Sequence, residues 1–417
     1  MKAEIITIGD ELLIGQTVDT NSAWIGAEMS RIGFEMRQIT SISDKEQDIL
    51  NTLGMVCGRA DVVLITGGLG PTSDDITKNT LCRYFDTELV RNETVLGMIK
   101  EMLSRRGFTL NDNNIRQADV PGSCRVLLNN TGTAPGMWFE KGGTIFISMP
   151  GVPFEMRHIM TERVLPLLRE KFKSQVVIHR NILTYGTFEA MLAETLEGFE
   201  SGLPEAIRLA YLPSYGIIKL RLTAIGKNRD ELETLVEAQV VKLREIIPEL
   251  IISEVDEPME SIVFKMLSER GETLSLAESC TGGRIASLVT SIPGSSKIFL
   301  GSVVSYDNSI KTGVLGVDPS IIEQHGAVSR ETVISMAEKV RLLFRTDWAI
   351  ATSGIAGPDG GTPGKPVGTV WVSVSSASGT IAETYVYGQD RQVNISRFSV
   401  AALNLLRKQI IAARDNN

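Results

Sequence analysis

The sequence predicts an α/β protein: two separate α/β domains with largely parallel sheets, joined by a small α+β domain. Three observations predict it. Short apolar runs recur that are continuous rather than alternating, as in strands buried on both faces. Several stop at a polar or glycine-rich loop, as at Thr66-Gly67-Gly68-Leu69-Gly70. Amphipathic helical stretches fall between these runs, the rhythm of sheets built through crossover helices. Between residues 174 and 252 that rhythm breaks, and the strand expected at 217–224 alternates apolar and charged residues.

The elements follow in order. Residues 3–8 read as a strand that runs straight into Gly9-Asp10-Glu11. Thr20 or Asn21 caps a helix with Trp24, Ile25 and Met29 on one face. A strand at 34–42 precedes a helix capped by Asp44 and carrying Ile49, Leu50 and Leu53. Strands at 61–66 and 144–149 end in the glycine loop and in Pro150-Gly151. The middle stretch offers strands at 176–183 and 217–224 and helices at 188–196 and 230–246, read as a spacer or dimerisation module. The acidic run Glu254-Val255-Asp256-Glu257-Pro258 is a linker. After it, Met259, Ile262, Val263, Met266 and Leu267 form one helical face that Gly271 ends. Strands are expected at 273–277, 298–306, 348–352, 368–376 and 383–387, and helices at 282–291, 330–344 and 393–411. The domain boundaries so drawn are 1–170, 171–253 and 254–417.

The 417 residues are too many for one core, and 43% hydrophobic with 22% charged residues is ordinary for a globular protein. A net charge of −8 disfavours non-specific nucleic-acid binding, which needs Lys and Arg against phosphate. No stretch reaches membrane-spanning length, and the N-terminus lacks a signal-peptide pattern. The four cysteines are scattered without metal-ligand spacing, so they read as reduced thiols of a cytoplasmic protein. Only three histidines are present.

That scarcity bears on Ser279. The stretch Ala277-Glu278-Ser279-Cys280-Thr281-Gly282-Gly283 lies between an apolar strand and an amphipathic helix. A serine there has its hydroxyl at the carboxyl edge of the sheet, beside backbone N–H groups able to hold an oxyanion or phosphate. A serine nucleophile needs a base, and no histidine lies in a comparable motif. Lys311, after the strand ending Val303-Val304-Ser305-Tyr306 and after Asp307-Asn308, is the candidate, since burial lowers a lysine's pKa. A third strand end carries Ser353-Gly354-Ile355-Ala356-Gly357-Pro358-Asp359-Gly360-Gly361, where glycines let backbone approach a ligand. Taken singly, such a serine is more often a cap than a nucleophile, a lone lysine is usually a solvated charge, and a glycine-rich loop is usually a turn.

Together, AESCTGG, GSVVSYDNSIK and SGIAGPDGGTPGKPVGTVW resemble, in order and spacing, the C-terminal domain of the CinA family, the nicotinamide-nucleotide amidohydrolases. The resemblance implies hydrolysis of nicotinamide mononucleotide to nicotinic acid mononucleotide and ammonia, without a cofactor. It implies Ser279 as nucleophile, Lys311 as base and Tyr306 as a supporting catalytic group. Substrate contacts are expected from Glu278, Cys280, Thr281, Gly282, Gly283, Asn308, Ser353, Gly354, Ala356 and Gly357. Arg391 or Arg397 is assigned to the 5′-phosphate.

The first domain carries Gly9-Asp10-Glu11, the loop Gly67-Gly68-Leu69-Gly70-Pro71-Thr72-Ser73-Asp74-Asp75, and Pro150-Gly151. Gly67, Gly68, Gly70, Thr72 and Ser73 suit a phosphate, and Asp10, Asp74 and Asp75 suit a hard divalent cation. Either Asp74 or Asp75 also reads as the cap of a helix starting near Ile76. These motifs resemble the molybdopterin-binding (MoCF) fold as found at the N-terminus of CinA proteins. Pterin-binding relatives carry an Arg-Asp pair where this chain has Asp74-Asp75, which favours a metal there. The resemblance implies metal-dependent cleavage of ADP-ribose to AMP and ribose 5-phosphate and a KH-like middle domain; a homodimer is also expected. No obvious GxxG loop marks that middle domain, so RNA is not inferred as a partner. Two alternatives stay open: a molybdopterin-binding or adenylylating N-terminal domain beside a retained amidase, and a non-enzymatic scaffold for competence or damage response.

Overall fold

The computed structural model describes residues 1–72, 75–105, 107–172 and 176–415. The chain divides into two compact units: Met1–His179 with Pro204–Ile207 and Thr223–Glu237, and Arg180–Leu203 with Arg208–Leu222 and Ala238–Asn417.

In the first unit, the continuous apolar runs become the centre of a six-stranded sheet. Its order is Glu35–Ile42, Lys2–Ile8, Val62–Thr66, Thr144–Met149, Gly136–Lys141, Arg125–Leu127. The first four strands are parallel and the last two antiparallel. Alternate side chains of each central strand serve opposite cores. Ala3, Ile5, Val62, Leu64, Ile145 and Ile147 pack with the helix Thr20–Arg31, whereas Ile6, Ile8, Val63, Ile65 and Phe146 pack with Glu46–Val56. That two-sided burial is why these strands lack the polar alternation of a half-exposed sheet.

A five-stranded sheet organises the C-terminal part, in the order Phe299–Val304, Leu274–Glu278, Trp348–Gly354, Thr369–Ser376, Gly379–Val386. Its first three strands are parallel and the remainder antiparallel. Leu274, Leu276, Ile350 and Val372 face the long helix Arg391–Asp415, and Ala277, Ala349 and Ala351 face Arg330–Phe344. Both sheets are thus parallel only where the strands feed loops to one edge.

The α+β segment forms its own four-stranded sheet, ordered Ile207–Ser214, Ile217–Gly226, Val176–Tyr185, Ile251–Ser253. The two strands not expected from the sequence are its outer ones. Ile207–Ser214 contains Pro213, which an edge strand tolerates because its N–H side need not pair.

Two helix starts differ from expectation. Asp19, rather than Thr20 or Asn21, caps Thr20–Arg31 by accepting the Ser22 N–H. The helix after residue 44 begins at Glu46, with no side-chain cap from Asp44. Both changes free a side chain for the cavity described next. No helix among the described residues is long and apolar enough to cross a membrane.

Candidate functional site

Parallel register builds each site. In the C-terminal sheet, Glu278 lies beside Val304 on one side and Thr352 on the other. The residues that follow, Ser279, Ser305 and Ser353, therefore leave the sheet at one level. Ser279 N–H donates to the Thr352 carbonyl at 3.0 Å, and Ser305 N–H to that of Glu278 at 2.8 Å. This is the carboxyl edge at which parallel sheets bind ligands. A cavity of about 310 Å³ opens there, lined by Ser279, Tyr306, Asn308, Lys311, the 353–357 loop and Arg391.

Lys311 arrives on the helix Asn308–Gly313, whose start Asp307 caps through the Ser309 N–H. The lysine is 1% exposed. Its Nζ donates to the carbonyls of Ser305 at 2.9 Å and Tyr306 at 3.2 Å. Burial holds the Lys311 ammonium below the usual lysine range, against the opposing pull of Asp307 and Cys280. Ser279 is 8% exposed, and its hydroxyl has no hydrogen-bond partner among the described residues. The neighbouring Cys280 thiol is inert as an acid, pushed up to about 12 by burial.

Not every residue expected at the substrate reaches this cavity. Glu278 turns away from it: its carboxylate accepts the N–H groups of Gly283 at 3.1 Å, Ile285 at 3.0 Å and Ala286 at 2.8 Å. It thereby caps the helix Arg284–Thr290 and uses up the donors expected to bind an oxyanion around Gly283. Thr281 is tied to Thr352 by a 2.8 Å hydroxyl pair, and neither it nor Gly282 or Gly283 lines the cavity. Cys280 does line it, and its backbone N–H reaches no other residue among those described. Of the two arginines, Arg391 lines the cavity, donating to the Gly357 carbonyl at 2.8 Å and to the Tyr306 hydroxyl at 2.9 Å. Arg397 instead lies 5.7 Å over the Tyr387 ring, off the lining. Ala327 and Val328 complete the wall, and Ser353 Oγ donates to the Ala327 carbonyl at 2.6 Å. No motif marked that loop in the sequence.

In the first unit Ile8 aligns with Ile42, and Thr7 with Thr66, which aligns in turn with Met149. Four strand ends thus deliver Gly9, Asp44, the Gly67 loop and Gly151 to a cavity of about 440 Å³. Gly67 has a φ of +114°, and a Cβ there would lie 2.1 Å from the Ile8 carbonyl oxygen, so no other residue fits. Gly67, Gly68 and Gly70 line the cavity. Thr72 does not: its N–H donates to Asp75 Oδ2 at 3.0 Å, and its hydroxyl bonds the same oxygen. Asp75 therefore closes the loop instead of capping the helix Thr77–Tyr84, which has no side-chain cap. Ser73 and Asp74 lie outside the described residues.

Asp10 is displaced from its expected role as well. It is absent from the lining, and its N–H donates to Asp44 Oδ2 at 3.1 Å. Asp44, read from sequence as a cap, faces the cavity together with Glu11 and Asp75. Its carboxyl is raised above the usual range by burial and further by the charges of Glu11, Asp10 and Asp75, although the Asp10 N–H opposes the shift. The signal for Asp44 was available: it follows a fourth parallel strand by two residues. Among the described residues no three acidic, His or Cys groups converge closely enough to hold an ion by themselves. Asp44, Glu11 and Asp75 lie beside the Gly67 loop in one lining, and a hard divalent cation such as Mg²⁺ needs only one or two carboxylates from a protein.

Two α/β bodies, each with loops gathered at a parallel sheet edge, place the molecule in the class of ligand-binding α/β proteins with a binding or catalytic role for each edge. Similarity makes the assignment specific. Residues 4–170 match the probable molybdopterin binding domain, residues 179–252 the damage-inducible protein CinA KH domain, and residues 256–410 the CinA C-terminal domain. A CinA-like protein of Flavobacterium psychrophilum is 45% identical over 99% of this chain and 99% of its own. A CinA-like protein of Cytophaga hutchinsonii is 45% identical over 98% of each. A crystal structure of the competence/damage inducible protein from Agrobacterium tumefaciens is 35% identical, covering 36% of this chain and 92% of that one with a TM-score of 0.35. The chain belongs to the CinA family.

Proposed function

We propose that the C-terminal site hydrolyses the carboxamide of nicotinamide mononucleotide to the carboxylate and ammonia. The observation that carries this reading is a buried lysine of lowered pKa and a serine with an uncommitted hydroxyl on one cavity. A neutral amine has two hydrogens, and Lys311 has two carbonyl acceptors, which leaves its lone pair for a proton. Lys311 takes the Ser279 proton as Oγ bonds the carboxamide carbon. The Cys280 N–H supports the oxyanion. The C–N bond breaks as the lysine's proton passes to the departing nitrogen. Water then adds to the acyl-serine carbon and gives a proton to Lys311, which passes it to Ser279 Oγ as the acyl C–O bond breaks and the acid leaves. Arg391 supplies the positive charge for the 5′-phosphate, with Tyr306 holding its other edge. The test is ammonia release from the mononucleotide: Ser279→Ala must abolish it while leaving the fold intact, and retained turnover would overturn the assignment.

For the first unit the reading is cleavage of ADP-ribose to AMP and ribose 5-phosphate. Its support is the Gly67 loop beside Asp44, Asp75 and Glu11 in one cavity. A divalent cation held by Asp44 and Asp75 would offset the diphosphate charge. The chain's own residues bind and orient: the loop N–H groups take phosphate oxygens, and Asp75 keeps the loop closed through Thr72. Product analysis with Mg²⁺ and with EDTA tests it. No cleavage under either condition would leave a pterin- or nucleotide-binding module.

A further inference from the structure

Asn21 stands beside the glycine loop and has no part in the reading above. It is 9% exposed, lines the N-terminal cavity, and carries a buried Oδ1 with no hydrogen-bond donor. The orientation of its amide follows from its neighbours. Nδ2 lies 2.7 Å from the Gly151 carbonyl oxygen, which can only accept. It also lies 3.2 Å from Thr66 Oγ1, whose own hydrogen goes to the Pro150 carbonyl at 3.0 Å. Turning the amide over would set Oδ1 against two groups with no hydrogen to give. Both amide hydrogens are therefore committed, and the remaining valence is that of an acceptor only.

An unpaired buried acceptor is uncommon in folded proteins, and one on a residue that lines a cavity points to a ligand that completes it. A phosphate oxygen ionised at neutral pH has no hydrogen to offer. A ligand group that completes Oδ1 must therefore be an O–H or N–H donor that keeps its hydrogen at neutral pH. Asn21 is bonded to Thr66, the residue before Gly67, so this group lies next to the phosphate cradle. In a nucleotide or sugar phosphate the hydroxyls nearest the phosphate ester are those of the ribose.

We propose that Asn21 is a specificity residue that accepts a hydrogen bond from a ribose hydroxyl of the ligand held by the Gly67 loop. The proposal rests on reading that cavity as an ADP-ribose site. It predicts that the cavity discriminates by sugar hydroxyl as well as by phosphate.

The test uses the full chain with Mg²⁺ and measures equilibrium binding of ADP-ribose, AMP, 2′-deoxy-AMP, 3′-deoxy-AMP, ribose 5-phosphate and 2-deoxyribose 5-phosphate. Loss of one particular hydroxyl should weaken binding about tenfold, the scale of one hydrogen bond with its partner left buried. In Asn21→Leu that penalty should disappear, so that parent and deoxy probe bind alike. Asn21→Leu also loses the tie to Gly151, but the ligand series on the unaltered protein stands without it. If ADP-ribose binds and is cleaved while every deoxy probe matches its parent, water or a cation completes Oδ1 and the proposal alone is overturned. If neither ADP-ribose nor its products bind, the reading of the cavity fails and the proposal fails with it.

Discussion

Arg391 donates to the hydroxyl of Tyr306 at 2.9 Å while its other terminal nitrogen holds the Gly357 carbonyl at 2.8 Å. One guanidinium thus joins the loop after the strand Phe299–Val304 to the loop after Trp348–Gly354. A planar fork reaches the two acceptors from separate terminal nitrogens, whereas a lysine has a single nitrogen to offer. Tyr306→Phe should free one edge of Arg391 and raise KM for the mononucleotide a few-fold with kcat nearly unchanged. Arg391→Ala should raise KM about tenfold or more, as expected for losing a charge-assisted contact, and Arg391→Lys should not restore it. Steady-state kinetics on the three variants checks the order. An unchanged KM in Arg391→Ala would remove the arginine from the phosphate site.

The proposed amidase reaction carries a pH dependence of stated direction through the buried Lys311. In that reading its neutral form is the base, and burial lowers its pKa below the ordinary lysine value. As pH falls through that lowered pKa the lysine gains a proton and kcat/KM should fall, with a plateau on the alkaline side. Lys311→Met keeps the apolar stem and removes the base, so activity should drop about 10²–10⁴-fold. A pH–rate profile of the wild type and the variant is the measurement. A residual rate in Lys311→Met that keeps the wild-type pH profile would show that another group titrates.

Glu278 sits at a helix N-terminus with three backbone N–H groups on its carboxylate. At 1% exposure it has no water to fall back on. Glu278→Gln removes the negative charge and turns one acceptor into a donor facing N–H groups. Stability should fall by about 1–3 kcal/mol, and the Ser279 turn should loosen with it. Denaturant titration gives the first effect, and amide hydrogen exchange at 279–286 the second.

The parallel strands and their loops were legible because burial on both faces leaves a continuous apolar signature. So was the arrival of Ser279 and Lys311 at one cavity, since a small polar loop after such a strand leaves a parallel sheet at one edge. Side-chain direction was not legible. Glu278 and Asp44 show why: an acidic residue near a helix start reads identically whether it caps the helix or faces a ligand. Register decides, and here it sent Glu278 to a helix, where the resemblance implied a substrate contact, and Asp44 to a cavity, where the sequence implied a cap. Asp10 and Thr72 failed for a related reason, since each is used in local hydrogen bonds that hold an acidic neighbour. The outer strand Ile207–Ser214 escaped because its proline is a break signal everywhere except on an edge.

Lys78 gives a prediction of pH-dependent stability that no activity assay touches. It lies in the helix after the glycine loop, and its Nζ donates to the Gln117 carbonyl at 2.9 Å, the Asp119 carbonyl at 3.2 Å and Gln117 Oε1 at 3.3 Å. Burial pushes its pKa down from the ordinary 10.5 to about 8, opposed by Asp119, Asp75 and Cys124. Above about pH 8 the folded lysine is therefore largely neutral, whereas in the unfolded chain it keeps its proton up to about 10.4. Between these values the unfolded state binds more protons than the folded one, so this residue's contribution to stability rises with pH across that window. Below pH 8 both states are charged and the contribution is flat. Lys78→Met should abolish the rise. The measurement is the denaturation midpoint of wild type and variant at pH 7.5 and pH 9.5, taken as a difference so that other titrating groups cancel. The wild type should gain on the variant at the higher pH, and parallel midpoints would mean that the buried ammonium keeps its ordinary pKa.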